Sequence, residues 1–593
     1  MGNSGNLERT TDVSAPLQVV LRYHRESKHH FRRYARSLGY MDWSNQPDPF
    51  RRYAGSPLLA LPILKPDDAR PHAGQQPRYG DLYRSRTIAS APIDVYSLSR
   101  FFEYALGITA WKQDGVARWA LRANPSSGNL HPTEGYLLVG DVPGLLPLPG
   151  LYHYTAKEHA LELRAEWSKD RFTALLGRFP PHAFLLGFTS VNWRETWKYG
   201  ERAFRYCQHD VGHALGSARF AAQTLGWRML LLDGTADDTV AALLGVDRSD
   251  DFTDAEPEHP DCLAVVWPAD HENSSSAEAI SLSLCPTADA LPGSTEHIWY
   301  GKANRLSRNK PVPWKNLDQV EVAAWKSSTE RSVARLNQQV RAVEQARDQV
   351  GWRAAAPAMS LRELSAGQVI RQRRSALAFD GKTSISVDCF FTMLSRVMPR
   401  AENELCERPT PWNVLPWAPA VHLALFVHRV DGLAPGIYLL ARDSAKVPVL
   451  KAAMQRRFDW TVPPGCPADL PLFLLEEGDA RQMATDVSCH QAIAADGAFS
   501  LAMLAEFEAV LRRHGPWFYR RLFWETGVIG QVLYLEAEAN GVRATGIGCF
   551  FDDPVHQVMG LNDATFQSLY HFTIGGPVED PRLTTLPPYE LDH

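Results

Sequence analysis

The chain has 593 residues, with 62 Lys and Arg against 67 Asp and Glu and a formal net charge of −5. That balance excludes a polycation built to coat nucleic acid, and 45% hydrophobic with 22% charged residues excludes a disordered or fibrous chain. Eight cysteines without a C-x-x-C pair exclude zinc ribbons and iron–sulfur runs and point to a reducing cytoplasm.

In chain order, the start MGNSGNLERTTD carries no basic-then-apolar leader and no stretch reaches membrane-span length, so a cytoplasmic chain with no membrane partner is expected. Residues 1–75 read as an N-terminal extension, and its basic run 22–36, with His24, His29 and His30, reads as a solvated amphipathic face. Residues 76–270 read as a first α+β domain. It has a helix near Phe101, a turn at 124–132, a strand at Tyr136–Val139, a long helix after Lys198 and a final strand at Cys262–Trp267. Residues 271–358 read as a connector whose polar run 326–350, with Val333, Leu336, Val340 and Val343 at helical spacing, packs on the outside. Residues 359–593 form a second domain.

The second domain repeats the first. A constant offset of 315 matches Arg205 with Arg520, Gly212 with Gly527, Gly226 with Gly541, Asp237 with Asp552 and Gly245 with Gly560. Upstream, Arg84-Ser85 aligns with Arg374-Ser375, Phe101-Phe102 with Phe390-Phe391 and Gly150 with Gly436. In the first long helix, Lys198, Arg202, Arg205, His209, Gly212 and Gly216 share one stripe. The bare glycines predict close approach of the equivalent helix with Gly527 and Gly530, giving a pseudo-symmetric dimer within one chain. His209 and His213 are four apart, but no Glu follows the first, so they read as a structural pair and no metal is expected.

Three clusters could carry chemistry. Pro125-Ser126-Ser127-Gly128-Asn129 packs small hydrogen-bonding groups that can approach a flat heteroaromatic edge, although a plain turn has the same composition. Arg371, Arg373 and Arg374, with Ser375, put guanidiniums on one turn suited to an oxyanion; a solvated helix start reads the same way. Lys198-Tyr199 opens the long helix, as a functional pair or as an exposed Lys beside a packed Tyr. Gly546-Ile-Gly548 lacks the third glycine of a dinucleotide loop.

Together these clusters resemble the flavin-dependent nitroreductase superfamily, and within it the SagB-type dehydrogenase branch that includes azoline oxidases of peptide natural-product pathways. The resemblance covers about residues 80–268 and 362–583 and implies tandem nitroreductase-like domains. It implies FMN held by Pro125, Ser126, Ser127, Gly128 and Asn129 from one half and by Arg373, Arg374, Ser375, Gly548 and Arg582 from the other. Gly548 resembles the glycine facing flavin N5, Arg582 the late basic residue near the phosphate, and Lys198-Tyr199 the catalytic base pair. Leu377 stands where many relatives carry a basic residue.

The reciprocal site looks broken, because it would pair Arg84-Ser85-Arg86 with Val414 to Pro419 and place Asp233 where the first site has Gly548. Arg513-His514 stands where the first half has Lys198-Tyr199, so one FMN per chain is expected. Aromatising an azoline removes a hydride and a proton, and Tyr199, with an ordinary pKa of about 10, becomes a base only if Lys198 lowers it. The implied function is an FMN-dependent dehydrogenase or oxidase of a heterocyclic or peptide-derived substrate, using O2 and served by a cyclodehydratase or other biosynthetic partner. An NAD(P)H-dependent nitro, quinone or enone reductase and a flavin-free peptide- or partner-binding scaffold are the alternatives.

Overall fold

The computed structural model describes residues 14–64, 76–84, 87–115, 117–145, 148–269, 285–286, 298–329, 364–399 and 408–589. Each half is built on one antiparallel sheet. In the first, seven strands run in the order Leu58–Ala60, Ala160–Glu166, Gly150–Thr155, Thr133–Val139, Phe184–Ser190, His259–Pro268 and Trp227–Leu231. In the second, six strands run Leu472–Glu477, Gly436–Leu440, Val421–Val427, Phe499–Glu506, Phe566–Gly575 and Arg543–Ile547. The orders superpose strand for strand apart from the extra edge strand, as the repeat predicts. Central strands such as Val421–Val427 are buried along their whole length, which explains why they read as continuous apolar runs rather than alternating ones.

Two helices of 22 residues form the seam, α1 (Ala203–Thr224) and α2 (Phe518–Ala539). Every residue of α1 is buried, and only Glu538 of α2 is not. They cross where glycine faces glycine. A Cβ on Gly212 would lie 2.8 Å from the Gly527 Cα and 2.3 Å from the Trp524 carbonyl oxygen, and one on Gly527 would meet the His209 carbonyl at 2.3 Å. Gly216 abuts Gln531 and Gly530 abuts His213. The α+β fold and the internal pseudo-dimer are therefore as expected, and the glycine stripe is what lets two backbones touch.

One sequence expectation fails in part. The basic run 22–36 is exposed at Arg25, Phe31 to Tyr34 and Arg36, but its other positions are buried or half-buried. His24 is buried against Arg205 and Tyr519, Lys28 pairs with Asp553 at 2.7 Å, and the His29 N–H donates to Asp552. The described part of the connector buries one face and leaves the other exposed, Val322 at 76%. Leu317, Val320, Ala324 and Lys326 are buried, and the Lys326 N–H donates to Asp237. Lys28 is received by Asp553 in the first turn of the helix Asp552–Met559, and the Lys326 ammonium donates to the Asp233 carbonyl. The backbone N–H groups of His29 and Lys326 reach Asp552 and Asp237, each at the start of a helix. The positions Val333 to Val343 lie outside the described residues. At the far end, Thr584–Leu586 pairs with Ile108–Asp114 of the first half, so the second domain's tail completes a sheet on the first. No helix among the described residues is long and apolar enough to cross a membrane.

Candidate active site

The loop 125–129 sits on the N-terminal half of α1. The Ser127 N–H and hydroxyl both donate to Asp210 Oδ1, at 3.1 and 3.2 Å. Ser126 Oγ accepts the His131 N–H, and the Asn129 amide donates to the Ala120 carbonyl. Gly128 and Asn129 take the left-handed conformation, with φ of 61° and 59°. Gly128 is solvent-exposed and comes so close to the helix Asn192–Tyr199 that a Cβ would lie 2.6 Å from Tyr199 Oη and 3.0 Å from Lys198 Nζ. The first cluster and the third therefore meet.

The basic turn closes on the same place from the second half. Arg373, buried, donates to the carbonyl of Arg122, three residues before Pro125. The Arg374 guanidinium is held by Thr109 Oγ1 at 3.0 Å and by the Thr109 and Arg371 carbonyls. Ser375 shares a hydrogen bond with Tyr534 Oη, whose oxygen also accepts the Gly546 N–H. Tyr570 packs on Gly546 and stacks on His209, and Tyr206 packs on Gly548 and on Tyr199 at 4.4 Å between ring centroids. Gly548 is thus covered on its Cβ side by the Tyr206 ring, while its carbonyl accepts from Arg202 at 3.1 Å. A continuous chain of contacts runs from Ser375 through Tyr534, Gly546, Tyr570, His209, Tyr206 and Tyr199 to Gly128. Arg582 is outside it: its side chain is 78% exposed and pairs with Asp580, two residues away. Leu377 is also exposed, at 71%.

The residues present fit an anionic group. Arg373 and Arg374 make no ion pair among the described residues, and the buried Nε of Arg373 and of nearby Arg122 have no acceptor. Burial lowers the pKa of both turn guanidiniums, that of Arg374 to about 10. Burial lowers the His131 imidazole too, as do Arg122, Arg194 and Arg373 around it. Desolvated positive charge with unused donors beside exposed Ser375 is the environment a phosphate stabilises.

One expectation about the base is corrected. Tyr199 is not brought down by Lys198; burial raises its phenol well above the ordinary value, with Glu195, Tyr206 and Asp210 adding to the rise. The Lys198 ammonium lies over the ring, 5.3 Å from its centroid. The residue the sequence passed over is Asp210, which follows His209 on α1. Burial lifts its carboxyl to about 7 against the hydrogen bonds from Ser126 and Ser127, and its Oδ2 has no partner. His209 and His213 turn to Thr526 and Tyr570 in the second half.

The equivalent place in the other seam is filled. Asp233 pairs with Arg521 at 2.8 Å. Lys326 donates to the Asp233 carbonyl and lies 3.8 Å from the centre of the Trp517 ring. Leu415 and Trp417 of the opposing loop are buried. Ser85 and Arg86 lie outside the described residues, and Arg84 pairs locally with Asp81.

Comparison with known proteins agrees with this architecture. Residues 370–576 match the family model described as "Nitroreductase family", so the second half carries a domain of that family, which implies an oxidoreductase. The chain is 27% identical over 165 residues to "Putative nitroreductase MJ1384" of Methanocaldococcus jannaschii, covering 27% of this chain and 79% of that one. It is 32% identical over 136 residues to "Trifolitoxin-processing protein TfxB" of Rhizobium leguminosarum bv. trifolii, a match spanning 20% of this chain and 36% of that relative. The crystal structure of a "putative nitroreductase" from Anabaena variabilis superposes with a TM-score of 0.64 at 22% identity, covering 94% of this chain and 99% of that one, which shows the shared fold over both halves.

Proposed function

We propose that this protein is an FMN-dependent dehydrogenase or oxidase. It removes a hydride and a proton from a heterocyclic, azoline-like or peptide-derived substrate in natural-product biosynthesis, with O2 as electron acceptor. The observation that carries this reading is a convergence at one seam: Gly128 of the small-residue loop abuts the Lys-Tyr pair, and the basic turn, which makes no ion pair among the described residues, reaches the stem of the same loop at Arg122. Pro125 to Asn129 from the first half and Arg373, Arg374, Ser375 and Gly548 from the second would hold the cofactor. Bound there, FMN supplies a two-electron hydride acceptor.

The protein's own residues bind, orient and move the proton. Arg373 and Arg374 neutralise the phosphate, and Ser375 adds a hydroxyl donor. Ser127 is locked by Asp210, so the loop presents its backbone without bulk. Tyr199 Oη is protonated at neutral pH and must lose that proton before it accepts one from a substrate carbon. Asp210, with its carboxyl near 7, exchanges a proton at that pH and already influences the Tyr199 phenol. Lys198 Nζ lies against the same face of Gly128 as Tyr199 Oη and helps position the pair at the loop. The plugged second seam supports one FMN per chain. The relative named for trifolitoxin processing supports a place in a processing pathway with a biosynthetic partner.

The test is spectroscopic and chemical. Protein reconstituted with FMN is expected to turn yellow, stay oxidised on anaerobic mixing with NADPH, and convert a thiazoline-containing peptide to the thiazole in air. A preparation that takes up no flavin overturns the enzyme reading, and rapid bleaching by NADPH turns it into a reductase.

A further inference from the structure

Two cysteines far apart in sequence meet at the rim of this site. Cys549 directly follows Gly548, and Cys489 lies in the turn after the helix Arg481–Val487; their sulfurs are 2.9 Å apart, in a thiol-to-thiol hydrogen bond. Both are half-buried, whereas Cys207, Cys262, Cys285 and Cys389 are buried. The two segments are sewn together on both sides of the pair. The Gln491 amide donates to the Cys549 carbonyl at 2.9 Å, and the Phe551 N–H donates to the Val487 carbonyl at 2.9 Å.

The turn is strained in a way that aims the thiol. Cys489 and His490 are consecutive non-glycine residues in the left-handed region, at φ of 53° and 58°. Such a pair persists only where the surroundings hold it, and strain of this kind clusters at functional positions. The neighbours favour a thiolate on Cys549. The Cys489 thiol comes first, then the imidazole of His29 and the Arg202 guanidinium, all holding Cys549 below its ordinary range against the effect of burial. His29 Nδ1 accepts the Ala35 N–H, which leaves its Nε2–H as the donor. Arg202 is anchored beside the pair on the Gly548 carbonyl. Phe31 and Tyr34 of the N-terminal arm, both half-exposed, roof the same spot through Phe551.

We propose that Cys489 and Cys549 form a redox-active dithiol centre that is oxidised to a disulfide by a hydroperoxide. The Cys549 thiolate attacks the distal peroxide oxygen, the O–O bond breaks, and the alcohol or water leaves with a proton. The Cys549 sulfenic acid that results is attacked by the Cys489 sulfur, forming the S–S bond and releasing water. In sum the two thiols lose two electrons and two protons, the peroxide gains them, and a dithiol reductant reverses the change by exchange. Because Cys549 adjoins Gly548, the cross-link ties the floor of the candidate site to the 488–491 turn.

The experiment uses the full chain, reduced, freed of reductant and treated with one equivalent of hydrogen peroxide without substrate. Wild type is expected to lose two hydrogen atoms from its intact mass and to yield a single cross-linked peptide pair carrying Cys489 and Cys549. Thiol loss there should be roughly tenfold or more faster than at half-buried Cys466, as expected for a thiolate against a thiol. Cys489→Ser should trap a sulfenic acid that dimedone labels at Cys549, and dithiothreitol should restore both thiols in wild type. Absence of the cross-link in wild type, or oxidation of Cys466 at an equal rate, overturns the proposal, and neither result depends on how the variant folds.

Discussion

The Arg205 guanidinium on α1 donates to the Asp552 carboxylate of the opposite half at 2.8 Å, both groups being buried. The same pair recurs with the halves exchanged, Arg520 on α2 with Asp237. The 315-residue offset that equates Arg205 with Arg520 also equates Asp237 with Asp552, so the two bonds are related by the internal pseudo-twofold. The arms follow the same symmetry: His29 donates its N–H to Asp552 as Lys326 does to Asp237. The N-terminal extension and the connector are thus matching straps. One crosses the candidate site and the other places Lys326 in its degenerate counterpart.

Removing one partner of such a buried pair leaves the other charge in a low-dielectric interior. Asp552→Asn is expected to destabilise the chain by about 3–5 kcal/mol, because Arg202 as well as Arg205 would lose its acceptor. Asp237→Asn should cost less, since Arg520 is its single guanidinium partner among the described residues. Urea denaturation followed by tryptophan fluorescence checks the order, and equal losses would count against the shared-acceptor argument.

A second charged network predicts a pH dependence of stability. His153 lies buried between Glu134 and Glu162, at 3.0 and 2.9 Å. Burial lowers its pKa, but those hydrogen bonds outweigh it and raise the imidazole to about 9. A folded pKa above the unfolded value means the stabilisation is full below about 6.5 and is lost as pH rises through about 9, a contribution of roughly 3 kcal/mol. Denaturation midpoints at pH 6 and pH 10 should differ for wild type and by much less for His153→Gln.

Cofactor retention separates the two seams. Arg374→Ala combined with Ser127→Ala should release FMN, read as loss of bound yellow absorbance after gel filtration, whereas Arg84→Ala should keep it. Equal release by Arg84→Ala would contradict the single-site reading, since Arg84 pairs only with Asp81 in the described residues.

Turnover tests the proton path. Lys198→Ala and Tyr199→Phe should each lower kcat by about 10²–10⁴-fold, the usual range for a lost acid–base group, with flavin still bound. Asp210→Asn should remove the limb of the pH–rate profile that rises near pH 7, because the carboxylate form is the one that accepts the proton. An unchanged limb in Asp210→Asn would return the base role to the Lys-Tyr pair alone.

Much of this protein was legible in its sequence because local pattern and repetition are enough to specify it. The glycines of α1 and α2, the order of strands and the internal dimer follow from a duplicated pattern and from the rule that only glycine lets helix backbones touch. The loop 125–129, the turn 373–375 and the pair Lys198-Tyr199 were visible as clusters that could carry chemistry. Their meeting, the ionisation of Tyr199 and Asp210, the burial of His24, Lys28 and His29 and the contact between Cys489 and Cys549 were decided only by the tertiary structure. Each depends on what a group faces across the seam, hundreds of residues away. Desolvation and distance act through space, and no spacing along one chain encodes them.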